Sequence, residues 1–179
     1  DLWSAILENI TDGEYYKLRA GDLSKIEVPL LSSANWGGQG LHLRGNVEGF
    51  VNAASSQKWL EIHGGAHWAE FYTDYGVGLQ KRFLGHFLKG EYTGWEKQPR
   101  VQMQIRRPGE VKFSSRDENE WPLARTQWTK IYLDLNELSL VDRAVGRTET
   151  VEYEAMGEGI TFLSPPMDEE IEITGPLAL

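Results

Sequence analysis

The chain has 179 residues, 40% of them hydrophobic and 11% aromatic, with a net charge of −9 and no cysteine. That length buries a real core in one or two domains, and the apolar share is that of a globular chain, not a disordered or membrane-spanning one. The negative charge excludes the broad basic face that nucleic-acid backbones require. No run reaches the ~20 apolar residues of a bilayer span, and the missing cysteine excludes disulfides, thiolate metal sites and cysteine nucleophiles.

In chain order, "DLWSAILENI" reads as the middle of a helix. "VPLLSSANW" (Val28 to Trp36) is a short apolar run with the look of a buried strand. "QGLHLRGNVEGFVNAA" follows with Leu41, Val47, Phe50 and Val51 at roughly helical spacing, and "KWLEIH" is a second strand. "DYGVGLQKRFLGHFLKG" is the best helix: Tyr75, Leu79, Phe83 and Phe87 recur at i+4, Thr73 or Asp74 can cap its start, and Gly90 stands where a C-cap glycine belongs. Strand, helix, strand, helix predicts a βαβ unit with a parallel sheet. After Pro99 the pattern changes. "RVQMQIRR", "QWTKIYLDL", "TVEYEAM", "GITFLS" and "EIEIT" are short alternating runs separated by turn signals, as in an antiparallel sandwich or jelly roll, with Trp121 and Trp128 expected to fill it. The expected fold class is therefore α/β followed by all-β, with a boundary in the connector "EYTGWEKQP", residues 91–99. The chain opens without methionine and closes on "EIEITGPLAL", a strand turning toward another, so a fragment of something longer is expected.

His67 lies just past the carboxyl end of the second strand, where α/β proteins place functional groups, and Gly64 and Gly65 permit an irregular backbone before it. It reads either as a general base or as a histidine hydrogen-bonded in a loop. His63 and His67 share the spacing of H-E-x-x-H, but the intervening Gly-Gly-Ala disfavours helix and carries no carboxylate, which excludes the zinc reading. His42 suits a surface or capping role and His86 a core edge. Neither G-x-S-x-G nor a phosphate-binding glycine loop occurs.

Four segments together, "DLSKIEVPLLSSANWGGQGLHLRGNVEGF", "KWLEIHGGAHW", "LQKRFLGHFLKGEYTGW" and "NEWPLARTQWTKIYLD", resemble the X-prolyl dipeptidyl-peptidase/cocaine-esterase family of serine hydrolases, in order and over nearly the whole chain. The resemblance implies that residues 1–97 are the C-terminal portion of an α/β-hydrolase catalytic domain. It implies that residues 98–179 are the first part of a C-terminal jelly-roll domain, truncated at Leu179. The nucleophilic serine would lie upstream of this chain. His67 takes the place of the family's histidine in its W-L-x-x-G-P-W-x-H-like pattern, which makes it the general base. The family often reads G-W-x-D-G after the preceding strand. Here "NWGGQG" puts Gly38 at the aspartate's position. Three readings follow: Glu48, Glu70 or Asp74 replaces that acid, a residue outside the chain does so, or the protein is a weakened hydrolase; Gln39 can hydrogen-bond the histidine without stabilising an imidazolium.

Residues 36–44 and 63–74 then line one wall of the active site, with Trp36, His42 and Trp68 as substrate-binding candidates. The expected activity is cleavage of an ester or amide bond, X-Pro dipeptides included, by acyl transfer. No metal or organic cofactor is implied, the substrate is a small ester or peptide, and this chain alone is expected to be inactive. Unpaired strand edges predict association with the remainder of the same polypeptide or with another copy. Neither nucleic acid nor membrane is an expected partner. Absent cysteine fits a cytoplasmic location without excluding export. The competing reading is a β-sandwich binding or structural module, or a catalytically degenerate relative, which the missing serine and aspartate both favour.

Overall fold

The computed structural model describes residues 1–38, 42–66, 68–110 and 112–177. Short helices Leu2–Glu8 (α1) and Glu14–Lys17 (α2) precede the first strand, Leu30–Asn35 (β1). Helix Leu43–Asn52 (α3) then leads to strand Lys58–His63 (β2), and helix Asp74–Lys89 (α4) follows. Strands Val101–Ile105 (β3) and Ser114–Glu118 (β4) complete a sheet of order β1-β2-β3-β4. β1, β2 and β3 are parallel, and β4 runs antiparallel to β3. The βαβ reading of the sequence is thus realised in β1–α3–β2.

Helices cover both faces of this sheet. Ser32 donates its hydroxyl to the Asn46 carbonyl of α3 at 2.9 Å, which assigns the even-numbered side chains of β1 to the α3 face. Lys58, at the start of β2, donates to the Val51 and Ala53 carbonyls (2.9 and 2.7 Å) and so satisfies groups that the end of α3 leaves open. The opposite face meets α4: Trp59 packs with Leu79 and Trp95, and Leu31, Phe83 and Phe87 close the cluster. Ring centroids in that cluster lie 4.9–6.3 Å apart in tilted or edge-on arrangements, the geometry aromatic quadrupoles favour. Thr73 caps α4 by accepting the Gly76 N–H at 3.1 Å, and Gly90 ends it in the left-handed region at φ 66°, both as the sequence predicts. Trp95 of the connector is buried, which ties the segment after α4 into the core.

The compact unit that begins at Asp1 extends through Trp121, well beyond the connector where sequence composition changes. The cause is β3. Its alternating Val101 and Met103 are fully buried and pair in register with Leu60 and Ile62 of β2, so this run extends the parallel sheet instead of opening a sandwich. Pro122–Leu179 forms the second unit. It carries a two-stranded antiparallel sheet of Tyr132–Asp134 (β5) and Ser139–Val141 (β6) and an isolated bridge from Ser139 to Leu163. Among the described residues, the runs expected as strands at 150–156 and 170–174 form none. Val151, Tyr153, Ile171 and Ile173 stand 36–80% exposed, so the alternation supplies a face with no sheet opposite to bury it. Trp121 is buried, but as the last residue of the first unit and not inside a sandwich, whereas Trp128 is 67% exposed and fills no core. Among the described residues, no helix is long and apolar enough to cross a membrane.

Leu79→Ala should lower the unfolding free energy by about 2–5 kcal/mol, because its neighbours are rings that collapse poorly around a void. Leu88→Ala on the exposed side of the same helix should change it by less than about 0.5 kcal/mol. Urea denaturation of the two variants checks the difference.

Candidate active site

The parallel register sets Asn35 opposite His63, so β1 and β2 end side by side. The 3₁₀ turn Trp36–Gly38, where the family's aspartate is expected, therefore leaves the same end of the sheet as Gly64 and Gly65, which lead to His67. His67, Gln39 and Leu41 lie outside the described residues.

The backbone before His67 is held at Gly64 and Gly65. Asn35 donates its amide to the carbonyls of Gly64 and Gly65 (3.2 and 3.3 Å). Gln104 of β3 accepts the Gly64 N–H at 2.9 Å, and its own carbonyl accepts the Trp36 indole N–H at 2.7 Å. The tip of the Phe113 ring lies against Gly64, where an added Cβ would come within 2.2 Å of it, and Gly65 sits at φ 76°. Gly64 thus answers a close approach and Gly65 a left-handed backbone. The other amide atom of Asn35, Oδ1, is buried and has no hydrogen-bond partner among the described residues. A side chain at Gly37 would come within 2.9 Å of it.

A second polar layer lies one step deeper on the α4 side. Ser33 donates its hydroxyl to Glu61 Oε2 at 2.5 Å, and His63 Nδ1 meets the same oxygen at 2.9 Å. When the carboxylate is ionised it only accepts, and the His63 Nδ1 is then the donor in this bond. Glu61 is 3% and His63 6% exposed. Next to them Tyr75 of α4 donates to Gln102 Oε1 at 2.7 Å. Burial first, and then the charges of Glu61 and Glu70, push the Tyr75 hydroxyl well above the usual phenol range, so it stays a donor at any working pH.

The residues expected for the site separate. Glu48 is exposed on α3 and accepts from Asn52 at 2.8 Å; Asp74 is exposed in the first turn of α4; Glu70 is half-buried in the turn before it. Among the described residues none of these three hydrogen-bonds a histidine. Trp36 is half-buried with its indole committed to Gln104, which makes it part of the scaffold of the loop. Trp68 is 71% exposed. His42 is exposed at the start of α3 and borders a cavity of about 510 Å³ with Ile26, Leu30, Ser32 and Asn46, on the face of β1 away from Glu61. His86 is half-buried with its ring edge-on to Phe87 at 4.6 Å, a core-edge residue as expected. Sequence reasoning missed Asn35, Glu61 and Gln104, and took His63 only as a rejected metal ligand. The signal was there: "KWLEIH" places Glu61 and His63 on the same side as Trp59, a core position.

No family model and no curated protein matches the sequence. Solved structures do. A CocE/NonD family hydrolase from Staphylococcus aureus is 35% identical over 80% of this chain and 26% of its own, with a TM-score of 0.71. A second crystal structure of a CocE/NonD family hydrolase from that organism gives 34% identity over 82% and 26%, with a TM-score of 0.72. The structural relatives of the chain are CocE/NonD family hydrolases. The family resemblance carried by the four sequence segments is borne out, and the chain spans 26% of the length of the CocE/NonD structures it matches.

Gly64→Ala should destabilise the protein by about 1–3 kcal/mol by pushing into Phe113. In a Phe113→Ala background the same change should cost less, a coupling that a double-mutant cycle by thermal or urea unfolding reads directly.

Proposed function

We propose that the chain is the base-bearing portion of a CocE/NonD-type serine hydrolase that cleaves ester or amide bonds by acyl transfer. The observation that carries this reading is the shared end of β1 and β2, with Asn35 opposite His63. That end brings the loop of the expected acid and the loop leading to His67 to one place, where α/β enzymes assemble their chemistry. A serine elsewhere in the polypeptide attacks the carbonyl while His67 takes the Oγ proton. His67 then returns that proton to the departing alcohol or amine, and water releases the acyl group by the same path in reverse. Trp68 and His42 supply surfaces for a small ester or peptide, with no metal or organic cofactor. The second unit, from Pro122, belongs to the first part of a jelly-roll domain, and substrate choice, X-Pro peptides included, rests with the remainder of the polypeptide.

The absence of a carboxylate at Gly38 supports the rival reading, a degenerate relative without turnover. One experiment separates them. In the full-length protein a fluorophosphonate probe should label one serine, and His67→Gln should slow labelling and ester hydrolysis by about 10⁴-fold or more. A folded full-length protein that never labels removes the hydrolase reading.

A further inference from the structure

The four-stranded sheet has two open edges, and they are not alike. β4 forms one. It is antiparallel to its neighbour and carries Arg116, Asp117 and Glu118, with an Arg116–Glu118 ion pair at 2.8 Å. Charged side chains on a short strand are a common protection of an outer edge. β1 forms the other, and "LLSSAN" has no charge on either face. Ala34 and Asn35 at its end are 1% and 4% exposed. Uncharged strands of this kind belong inside parallel sheets, and β1 is parallel to β2.

Hydrogen-bond directions show what β1 leaves open. The Leu30 N–H bonds the Gln57 carbonyl at 2.9 Å, so the even-numbered peptide groups of β1 face β2. Those of Leu31 and Ser33 face outward, and among the described residues their N–H groups have no partner. α3 overhangs that edge, since the Asn46 amide donates to the outward Ser33 carbonyl at 3.1 Å. Under the overhang lies the cavity of about 510 Å³, with Ile26, Leu30, Ser32, Gly45, Asn46 and Gly49 along its walls. Gly45 and Gly49 share one side of α3, being four residues apart. A Cβ added at either would meet nothing within 4 Å, so no contact among the described residues calls for glycine there. Glycine weakens a helix interior, and bare backbone beside open space suits close approach by another segment.

We propose that the outer side of β1 is not an edge of the native sheet. A further strand, parallel to β1 and supplied by the remainder of the same polypeptide, pairs with Leu31 and Ser33, and its side chains fill the groove at Gly45 and Gly49. The CocE/NonD structures have length for such a strand, because this chain covers 26% of theirs. A second copy of the chain fits less well. Two copies related by a two-fold axis would pair their β1 strands antiparallel, against the parallel order of β1, β2 and β3.

The test is amide-resolved hydrogen exchange on the full-length protein, with its mass in solution measured by light scattering. The Leu31 and Ser33 amides should exchange within about tenfold of the inward-facing Leu30 and Ser32 amides. Faster exchange than that, as an open edge allows, overturns the proposal. Protection found only in a dimer assigns the edge to a second copy and overturns it as well. So do short Hα–Hα nuclear Overhauser contacts between β1 and the strand that covers it, which mark antiparallel pairing. Gly45→Leu and Gly49→Leu give a second readout. In an open groove they strengthen α3 and leave the thermal midpoint of the full-length protein unchanged or higher. In a filled groove each should lower it by several degrees. A midpoint unchanged or raised in both variants overturns the proposal even where the amides are protected. Should neither variant fold, exchange in the wild-type protein decides alone. Neither readout requires turnover, so a protein that never labels with the fluorophosphonate probe defeats the hydrolase reading and leaves this one to its own result.

Discussion

Everything in the first unit depends on the parallel register of β1 and β2. With Leu31 opposite Trp59, Ser33 opposite Glu61 and Asn35 opposite His63, the α4 side of these two strands forms three successive layers. The first is apolar and completes the aromatic core. The second is a hydroxyl and a carboxylate, and the third is the imidazole that bonds that carboxylate and the amide that clamps the loop. Side chains alternate along a strand, so a slip of one residue would carry Glu61 to the α3 side and bring Leu60 and Ile62 against α4. The core and the candidate site are therefore specified by the same pairing.

The change from apolar to polar along these strands also explains how the loop after β2 is held. Its glycines carry no side chains to pack, and a buried peptide group without a partner is costly. Asn35 from one neighbouring strand and Gln104 from the other meet those peptide groups, while Phe113 limits the space above Gly64. The loop's conformation is imposed by the strands on each side of it. Trp36 extends the same frame, since its indole bonds the backbone of Gln104 and couples the turn after β1 to β3.

Sequence signals varied in strength with the number of independent cues at each element. For α4, the i+4 repeat, Thr73 and Gly90 all pointed to one helix, and it forms with those caps. β1 and β2 were readable as apolar runs flanked by loop residues. β3 was readable as a strand but not by its partner: Val101, Met103 and Ile105 report which face is buried, and alternation carries no information on whether the neighbour is parallel β2 or a sandwich sheet. The same limit applies to residues 150–156 and 170–174, where alternation without a neighbouring strand yields no ladder. In the site, attention to loops and to the expected aspartate favoured Glu48, Glu70 and Asp74. Glu61 was overlooked because alternation in "KWLEIH" invites assigning its charged residues to solvent. Every residue of β2 after Lys58 is buried, so a charge within that strand is the feature to explain.

A carboxylate on a strand and one on a loop do different electrostatic work. A loop acid follows the loop and is screened when the loop opens to water. Glu61 is held by the strand backbone and by Ser33 at 3% exposure, where its charge is less screened than that of an exposed loop acid. The turn after β1 is under a steric constraint. Gly37 lies so close to Asn35 Oδ1 that a side chain there would displace the amide holding the opposite loop. Gly37 and the Asn35 amide therefore belong to one arrangement, in which the turn after β1 leaves room for the clamp on the loop after β2.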